Sequence, residues 1–132
     1  MTHASGGDGP IPAQIMLVGE VWGVEEERTL LPFQGASGQE LNRILHEAGI
    51  MRSECYATNA VNARPPSNQL SAWLTGKRKD IKPTMRQLRN LWAEPIVHQG
   101  FARLLAELHE VKPNVVVALG NTAMWALTGL AG

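Results

Sequence analysis

The chain has 132 residues, 44% of them hydrophobic and 18% charged, which suits one globular domain and excludes wholesale disorder. Its formal net charge is zero, so the overall charge favours neither a nucleic acid nor a membrane surface as partner. No apolar run approaches the roughly 20 residues that span a bilayer, and the Gly-rich N-terminus has no secretory signal. We therefore expect a cytoplasmic protein with no membrane partner.

The first half of the chain predicts a strand, a loop and a helix. Residues 1–12 contain five glycines and prolines near their end and predict a flexible lead-in to a single domain over residues 13–132. The apolar run 14–18 predicts a buried parallel strand, followed by an acidic loop bounded by Gly19 and Gly23. Ser37 and Glu40 have capping-box spacing and predict a helix that Gly49 closes.

The second half repeats the alternation of strand and helix. A strand near residues 55–61 should end at the break of Pro65 and Pro66, after which residues 67–94 predict a long basic loop leading into a helix. Residues 95–111 predict an amphipathic helix, residues 115–119 a third strand, and Asn121 the cap of a final helix. The lone Cys55 lies in an apolar strand and is expected to be a small buried hydrophobic residue.

This order of elements predicts the α/β class, a three-layer α/β/α arrangement with a central parallel sheet and right-handed crossovers. In open sheets of this kind, ligands bind outside the carboxyl ends of the strands. The loops that follow the predicted strands are therefore the place to search for a site.

Four short motifs stand in those loops: a GE-x-x-G loop at 19–23, a PF-x-G segment at 32–35, a TN strand end at 58–59 and an ARPP loop at 63–66. Together with the strand and turn at 114–120 they resemble the bacterial and phage branches of the uracil-DNA glycosylase superfamily. The resemblance implies an enzyme that flips uracil out of DNA and hydrolyses its N-glycosidic bond. Uracil-containing DNA is the implied partner.

The resemblance also implies a departure from the family pattern. These glycosylases usually have a fourth strand, followed by an HP-S or HP-A loop that supplies a histidine, and no such motif occurs in this sequence. We therefore expect an incomplete copy of the domain with its C-terminal strand missing, and a poor catalyst. We also expect a sheet edge through which the chain could self-associate, and a partly uncovered apolar face on the helix that contains Trp125.

The resemblance assigns roles to four residues of the predicted crevice. Glu20 is the catalytic carboxylate, Phe33 stacks on the flipped base, Asn59 reads its edge and Val21 lines the uracil site. Val21 stands where an alanine or aspartate is usual, so the strongest water-activating form of the motif is absent. Purely structural roles remain open for three residues. Phe33 could be a core residue, Asn59 could form a turn, and Trp22 could pack in the interior rather than form a wall of the pocket.

Contacts with DNA are expected from the basic half of the chain. Residues 1–63 carry a net charge of minus five and residues 64–132 one of plus five. The resemblance implies that the proline-rich loop offers Arg64, Pro65 and Ser67 to the DNA backbone. A basic patch beginning at Lys77 and Arg78 could bind further phosphates. A solvated loop face is the alternative for the patch, and a solvated turn is the expectation for the acidic run 25–27.

No metal or cofactor is expected. The four histidines show no metal-ligand spacing, and one cysteine cannot supply the four that the superfamily's iron-sulfur branches use. The alternative function is a catalytically impaired module with the same fold that binds DNA or a protein partner. A nucleotide-binding domain is a weaker alternative, because the sequence has neither a G-x-G-x-x-G nor a Walker loop.

Overall fold

The structure, a computed structural model, describes residues 7–129. Its strands and α-helices in chain order are β1 (Ile15–Gly19), α1 (Val24–Thr29), α2 (Ala36–Glu47), β2 (Tyr56–Asn59), β3 (Leu74–Thr75), β4 (Arg86–Leu88), β5 (Leu91–Ala93), α3 (Pro95–Val111), β6 (Val115–Ala118) and α4 (Asn121–Thr128). They form two sheets of three strands each.

The first sheet is parallel, with strand order β2–β1–β6. Alternate residues of β1 enter different cores: Met16 and Val18 pack with α3 and α4, while Leu17 packs on the other face with α2. Burial on both faces explains why β1 is a continuous apolar run rather than an alternating one. The predicted α/β class with a central parallel sheet and helices on both faces is confirmed.

Two predicted helix caps are wrong. Helix α2 begins after Gly35, which makes no side-chain cap, so Ser37 lies inside the first turn rather than at a capping box. Helix α4 begins after Gly120, so Asn121 is already helical. In both places a carboxylate from outside the helix, that of Glu26 for α2 and that of Glu20 for α4, accepts from backbone N–H groups near the helix start, which a local capping pattern does not reveal.

The long loop predicted over residues 67–94 is also wrong in part. Residues 74–93 of it contain the three strands of the other sheet, an antiparallel one with strand order β3–β5–β4. Its strands have only two or three residues, too few to show an alternating pattern. Arg89, in the turn between β4 and β5, has φ of +57° and donates to the carbonyls of Trp125 and Ala126 in α4. A side chain from the turn therefore ties this sheet to the parallel one.

The segment before β1 lies against the domain where the structure describes it. Asp8 and Ala57 exchange two backbone hydrogen bonds, of 2.9 and 2.7 Å, beside β2. The first six residues of the predicted lead-in lie outside the described residues. Among residues 7–129, every helix is too short or too polar to cross a membrane.

The free edge of the parallel sheet is β6. Val115 is 54% exposed and Val116 36%, as expected for a strand paired on one side. The apolar face of α4, expected to be partly uncovered, is not: Trp125 is 7% exposed and packs edge-to-face on Phe101, with ring centroids 5.4 Å apart. The expectation about α4 failed because Arg89 and α3 cover it.

Candidate functional site

A cavity of about 890 Å³ opens at the carboxyl ends of β1 and β2. Its walls come from the loop after β1, from the segment leading into α2, and from Asn59 and Asn68. All four residues predicted for the crevice line it: Glu20, Val21, Phe33 and Asn59. Their convergence follows from the parallel sheet, because neighbouring strands end at the same edge.

Gly19 is the floor on which two of these side chains meet. A Cβ atom at this position would lie 2.4 Å from Asn59 Oδ1 and 2.9 Å from Phe33 Cζ. Both distances are far below van der Waals contact, so any other residue would displace the carboxamide or the ring. The glycine of the GE-x-x-G loop is thus required by close packing of the pocket itself.

The Asn59 side chain lines the cavity with a buried amide group. It is 3% exposed, and its Nδ2 makes no hydrogen bond within residues 7–129. The turn-forming alternative applies to its neighbour instead, because Asn62 Oδ1 accepts from the Asn59 N–H at 3.1 Å. An unsatisfied buried amide costs about 1–3 kcal/mol, and a ligand acceptor would recover that cost.

Phe33 is held in a strained backbone conformation from two sides. Its φ is +55°, in the left-handed region that residues other than glycine rarely adopt. Gly38 packs so closely that a Cβ atom there would lie 1.9 Å from the Phe33 carbonyl oxygen. The Arg52 guanidinium lies 5.2 Å from the ring centroid and donates to the Pro32 carbonyl at 3.2 Å. Burial lowers the pKa of Arg52 below its ordinary value.

Glu20 is oriented by the start of α4. Its Oε2 accepts from the Thr122 N–H at 2.9 Å. The backbone turns towards it at Gly120, which has φ of +102° and where a Cβ atom would lie 2.8 Å from Glu20 Cδ. This contact uses one carboxylate oxygen at a helix N-terminus, a favourable place for negative charge. The Thr122 amide is therefore occupied by Glu20.

Glu26 holds two walls of the cavity together, which the expectation of a solvated turn missed. It lies in α1, and its carboxylate accepts from the backbone N–H of Gly23 at 2.8 Å and from those of Gln34 and Gly35 at 2.7 Å each. Burial raises the pKa of Glu26, but the hydrogen bonds from these three amides outweigh it and leave the pKa below its ordinary value. The spacing of Gly23 and Glu26 resembles a capping box and was the available signal.

Trp22 forms another part of the wall. It is 8% exposed, lines the cavity, and its Nε1 has no hydrogen-bond partner within residues 7–129. Its backbone N–H donates to the Ala63 carbonyl at 3.1 Å and so joins the first loop to the proline-rich loop. Packing and pocket-wall roles therefore coexist in this residue.

The proline-rich loop borders the cavity through Asn68. Arg64 donates to Asn68 Oδ1 at 2.7 Å and lies 3.4 Å from a Glu27 carboxylate oxygen, so this predicted phosphate ligand already has an acidic partner. Pro65 is buried, while Ser67 is exposed with φ of +55°. Only the exposed part of the loop is available to a DNA backbone without rearrangement.

The basic patch is separate from the cavity lining. Lys77 and Arg78 are exposed at the turn after β3, and neither lines the cavity. Arg89, which continues the patch in the sequence, is engaged by α4. The basic residues of this patch are therefore divided between two environments. Lys77 and Arg78 lie in an exposed basic turn, whereas Arg89 binds α4.

A family model described as the uracil DNA glycosylase superfamily matches residues 7–131. The chain belongs to this superfamily. It is 35% identical to a type-4 uracil-DNA glycosylase of Thermotoga maritima over 93% of this chain and 53% of that protein. It is 29% identical to one of Pyrobaculum aerophilum over 98% and 56%, and 32% identical to one of Archaeoglobus fulgidus over 89% and 48%. The chain spans about half the length of these curated relatives.

A four-cysteine cluster of the kind used in iron-sulfur branches of the superfamily does not fit this sequence, which has only Cys55. That residue is buried, as expected, and burial raises the pKa of its thiol. Within the described residues, no group of three or more His, Cys, Asp or Glu side chains is arranged to hold a metal ion. The polar side chains that line the cavity include Glu20 and Asn59.

Proposed function

We propose that this chain binds uracil flipped out of DNA and hydrolyses its N-glycosidic bond. One observation carries the proposal: the buried carboxamide of Asn59, whose Nδ2 has no partner within residues 7–129, shares a cavity with the ring of Phe33 and the carboxylate of Glu20. A base-reading group, a stacking surface and a charge that stabilises a cationic sugar are the parts that base excision needs.

Asn59 would select the base by its hydrogen-bonding edge. A carboxamide can accept from uracil N3–H and donate to O4, whereas cytosine presents an acceptor and a donor in the reverse order. Because Asn59 is 3% exposed, a mispaired group would not be rescued by water. The discrimination is about 1–3 kcal/mol for each mispaired buried group. Phe33 would stack on the flipped base.

Glu20 would act on the sugar and the water. Its carboxylate is held by the Thr122 amide, so its charge is fixed in place before the substrate arrives. Such preorganised charge stabilises an oxocarbenium-like transition state and can orient the attacking water. Val21 brings no second carboxylate, so Glu20 carries this role without an acidic neighbour at position 21.

The proposal places the DNA on the proline-rich loop and the cationic turn. Arg64, Pro65 and Ser67 would contact the backbone beside the flipped nucleotide, and Lys77 and Arg78 would contact phosphates further along it. Arg64 would exchange its Glu27 partner for a phosphate. DNA as substrate also favours a cytoplasmic location. The proposed reaction involves no metal or cluster.

The test uses Asn59→Asp and Asn59→Ala, with Asn90→Asp as a matched control at an exposed turn. We expect both Asn59 variants to lose affinity for free uracil in an NMR titration and to excise less uracil from a labelled oligonucleotide. Asn59→Asp should lose most, because it places an acceptor opposite uracil O4. Equal binding by the wild type and both variants would contradict the proposal.

A second function is favoured by the cavity lining, which contains no histidine among the residues that the structure describes. Without a donor to the departing uracil anion, the chain would bind uracil-containing DNA and release little product. A missing donor of this type lowers the rate by about 10²- to 10³-fold. Tight binding without excision in the same assay would identify this function.

We also propose that the β6 edge allows the chain to self-associate. The exposed Val115 and Val116 lie on a strand that, within residues 7–129, pairs on one side only. Sedimentation velocity over a range of concentrations should show a dimer that Val116→Lys abolishes. A monomer at every concentration would contradict this part.

A further inference from the structure

One face of α3 packs directly under the end of β2, where Asn59 is presented to the cavity. The face contains Gly100, Arg103 and Glu107, which are spaced at helical intervals. A Cβ atom at Gly100 would lie 2.6 Å from the Ala60 carbonyl oxygen. The helix therefore needs a glycine here to come close enough for the longer side chains to reach the strand.

Arg103 binds the strand end through its whole guanidinium group. Nη2 donates to the carbonyls of Asn59 at 2.6 Å and Ala60 at 3.0 Å, and Nη1 donates to Thr58 Oγ1 at 3.0 Å. Its side chain is 14% exposed. Asn59 is the last residue of β2. Backbone hydrogen bonds from Ala60 and Val61 to the end of β1 and its loop continue after it, so the Arg103 bonds add to them at the strand end.

Glu107 fixes the guanidinium in turn. Its carboxylate is fully buried and pairs with Arg103 Nη1, while Thr58 Oγ1 donates to it at 3.0 Å and the Tyr56 hydroxyl donates to its other oxygen. Burial and this carboxylate raise the pKa of Tyr56 above its ordinary value. Charge-assisted hydrogen bonds in a dry interior are strong and directional, so the arrangement has little freedom.

Asn59 is consequently fixed by side chains at both of its backbone polar groups. Its N–H donates to Asn62 and its carbonyl accepts from Arg103. Neither Arg103 nor Glu107 lines the cavity, so neither can touch a ligand there directly. Any influence on base recognition must pass through the position of the Asn59 carboxamide.

We propose that Arg103, fixed by Glu107, is a positioning residue for base recognition by Asn59. Recognition groups must be held within about 0.5 Å of the productive geometry, which a strand end without such a contact would not ensure. The role in recognition rests on the proposed function of the pocket. The positioning of the carboxamide does not.

The first experiment tests the positioning alone, by NMR of the side-chain Nδ2H₂ group of Asn59, assigned from its loss in Asn59→Ala. Arg103→Lys retains the charge opposite Glu107 but cannot bind two carbonyls and Thr58 together. We expect the Asn59 signal to shift or broaden in this variant. Glu107→Gln, a milder change, should move it in the same direction if Arg103→Lys folds poorly.

Arg89→Lys is the matched control, because Arg89 also donates to two successive carbonyls and lies outside the cavity lining. It should lower the melting temperature and leave the Asn59 side-chain signal in place. An Asn59 signal that is unmoved in both α3 variants, or moved equally by Arg89→Lys, would overturn the positioning role.

The second experiment is a double-mutant cycle on free-uracil affinity. Arg103→Lys should weaken binding about 10-fold in the wild-type background and less than about 2-fold in Asn59→Ala, as coupled neighbours do. Equal effects in both backgrounds would overturn the link to recognition. If the wild type binds no uracil, the proposed function fails, while the NMR signal still decides whether Arg103 positions Asn59.

Discussion

The two sheets of this protein present their functional candidates in opposite ways. At the parallel sheet, Glu20, Phe33 and Asn59 are each held by groups from other parts of the chain before any ligand arrives. At the antiparallel sheet, Lys77 and Arg78 extend into solvent from a short turn. The first region offers fixed geometry and the second offers charge.

This difference predicts two kinds of response to mutation. In the pocket, one misplaced atom should remove most of the binding, because the partners cannot move to compensate. On the basic turn, each charge should contribute a small increment that salt weakens. The following predictions test whether the division is that sharp.

The largest effect is expected from Gly19→Ala. Its Cβ would lie 2.4 Å from Asn59 Oδ1, so the carboxamide must move. Overpacking of this kind typically costs about 1–3 kcal/mol, which corresponds to about 5- to 150-fold weaker uracil binding. Gly35→Ala, in the same cavity but with only ordinary contacts at the added Cβ, is the control for an NMR titration. Equal uracil affinities of the two variants would show that the side chains packed on Gly19 can move without loss of binding.

A smaller effect on stability is expected from Glu26→Gln, because one carboxylate serves three backbone amides. Each hydrogen bond to a charged group contributes about 1.5–3 kcal/mol, so weakening these bonds should lower the melting temperature by several degrees. Glu25→Gln, whose partner is the exposed Arg28, should change it little.

The contribution of Glu26 to stability should also depend on pH, in a direction that its pKa shift predicts. The pKa of Glu26 is lowered by folding, so its contribution is present above its ordinary value of 4.5 and is lost as the pH falls below it. The melting temperature of the wild type should therefore decline more steeply in acid than that of Glu26→Gln. If the melting temperatures of the wild type and Glu26→Gln fall equally with decreasing pH, the hydrogen bonds of the three amides do not depend on this charge.

In the basic turn, joint replacement of Lys77, Arg78, Lys79 and Lys82 by Gln should lower the affinity for DNA and its dependence on salt. The slope of log affinity against log salt should become shallower by up to about 3 on single strands, at about 0.7 per lost phosphate contact. Arg28→Gln with Arg43→Gln, on exposed arginines paired with glutamates, is the control for the binding assay. An unchanged slope would assign the turn to solvation alone.

The smallest effect concerns Arg64, which stands between the two regions. Glu27→Gln removes its acidic partner and should raise DNA affinity by about 2-fold at low salt, since partly exposed ion pairs contribute only about 0.2–1 kcal/mol. Glu47→Gln, which removes a partner of the exposed Arg43 outside the cavity lining, should have no such effect. A loss of affinity in Glu27→Gln would mean that the ion pair orients Arg64 for DNA rather than withholding it.

Much of the architecture is readable from local patterns. The apolar run of β1 and the helical spacing of Val97, Phe101 and Leu104 predicted a strand and a helix that the structure contains, because each pattern reflects burial within one element. The order of those elements was enough for the parallel sheet. The carboxyl ends of its strands then placed Glu20 and Asn59 at a common edge.

The sequence by itself thus determined the sheet, its covering helices and the motif residues that reach the cavity. Only the tertiary structure decided which groups hold those residues: Glu26 on the amides of Gln34 and Gly35, Arg103 on the end of β2, and Arg89 on α4. The physical reason is the distance along the sequence between the residues in contact. Periodicity records the burial of a side chain within its own element, whereas these contacts join residues eight to 44 positions apart, and their geometry depends on the path of the whole chain.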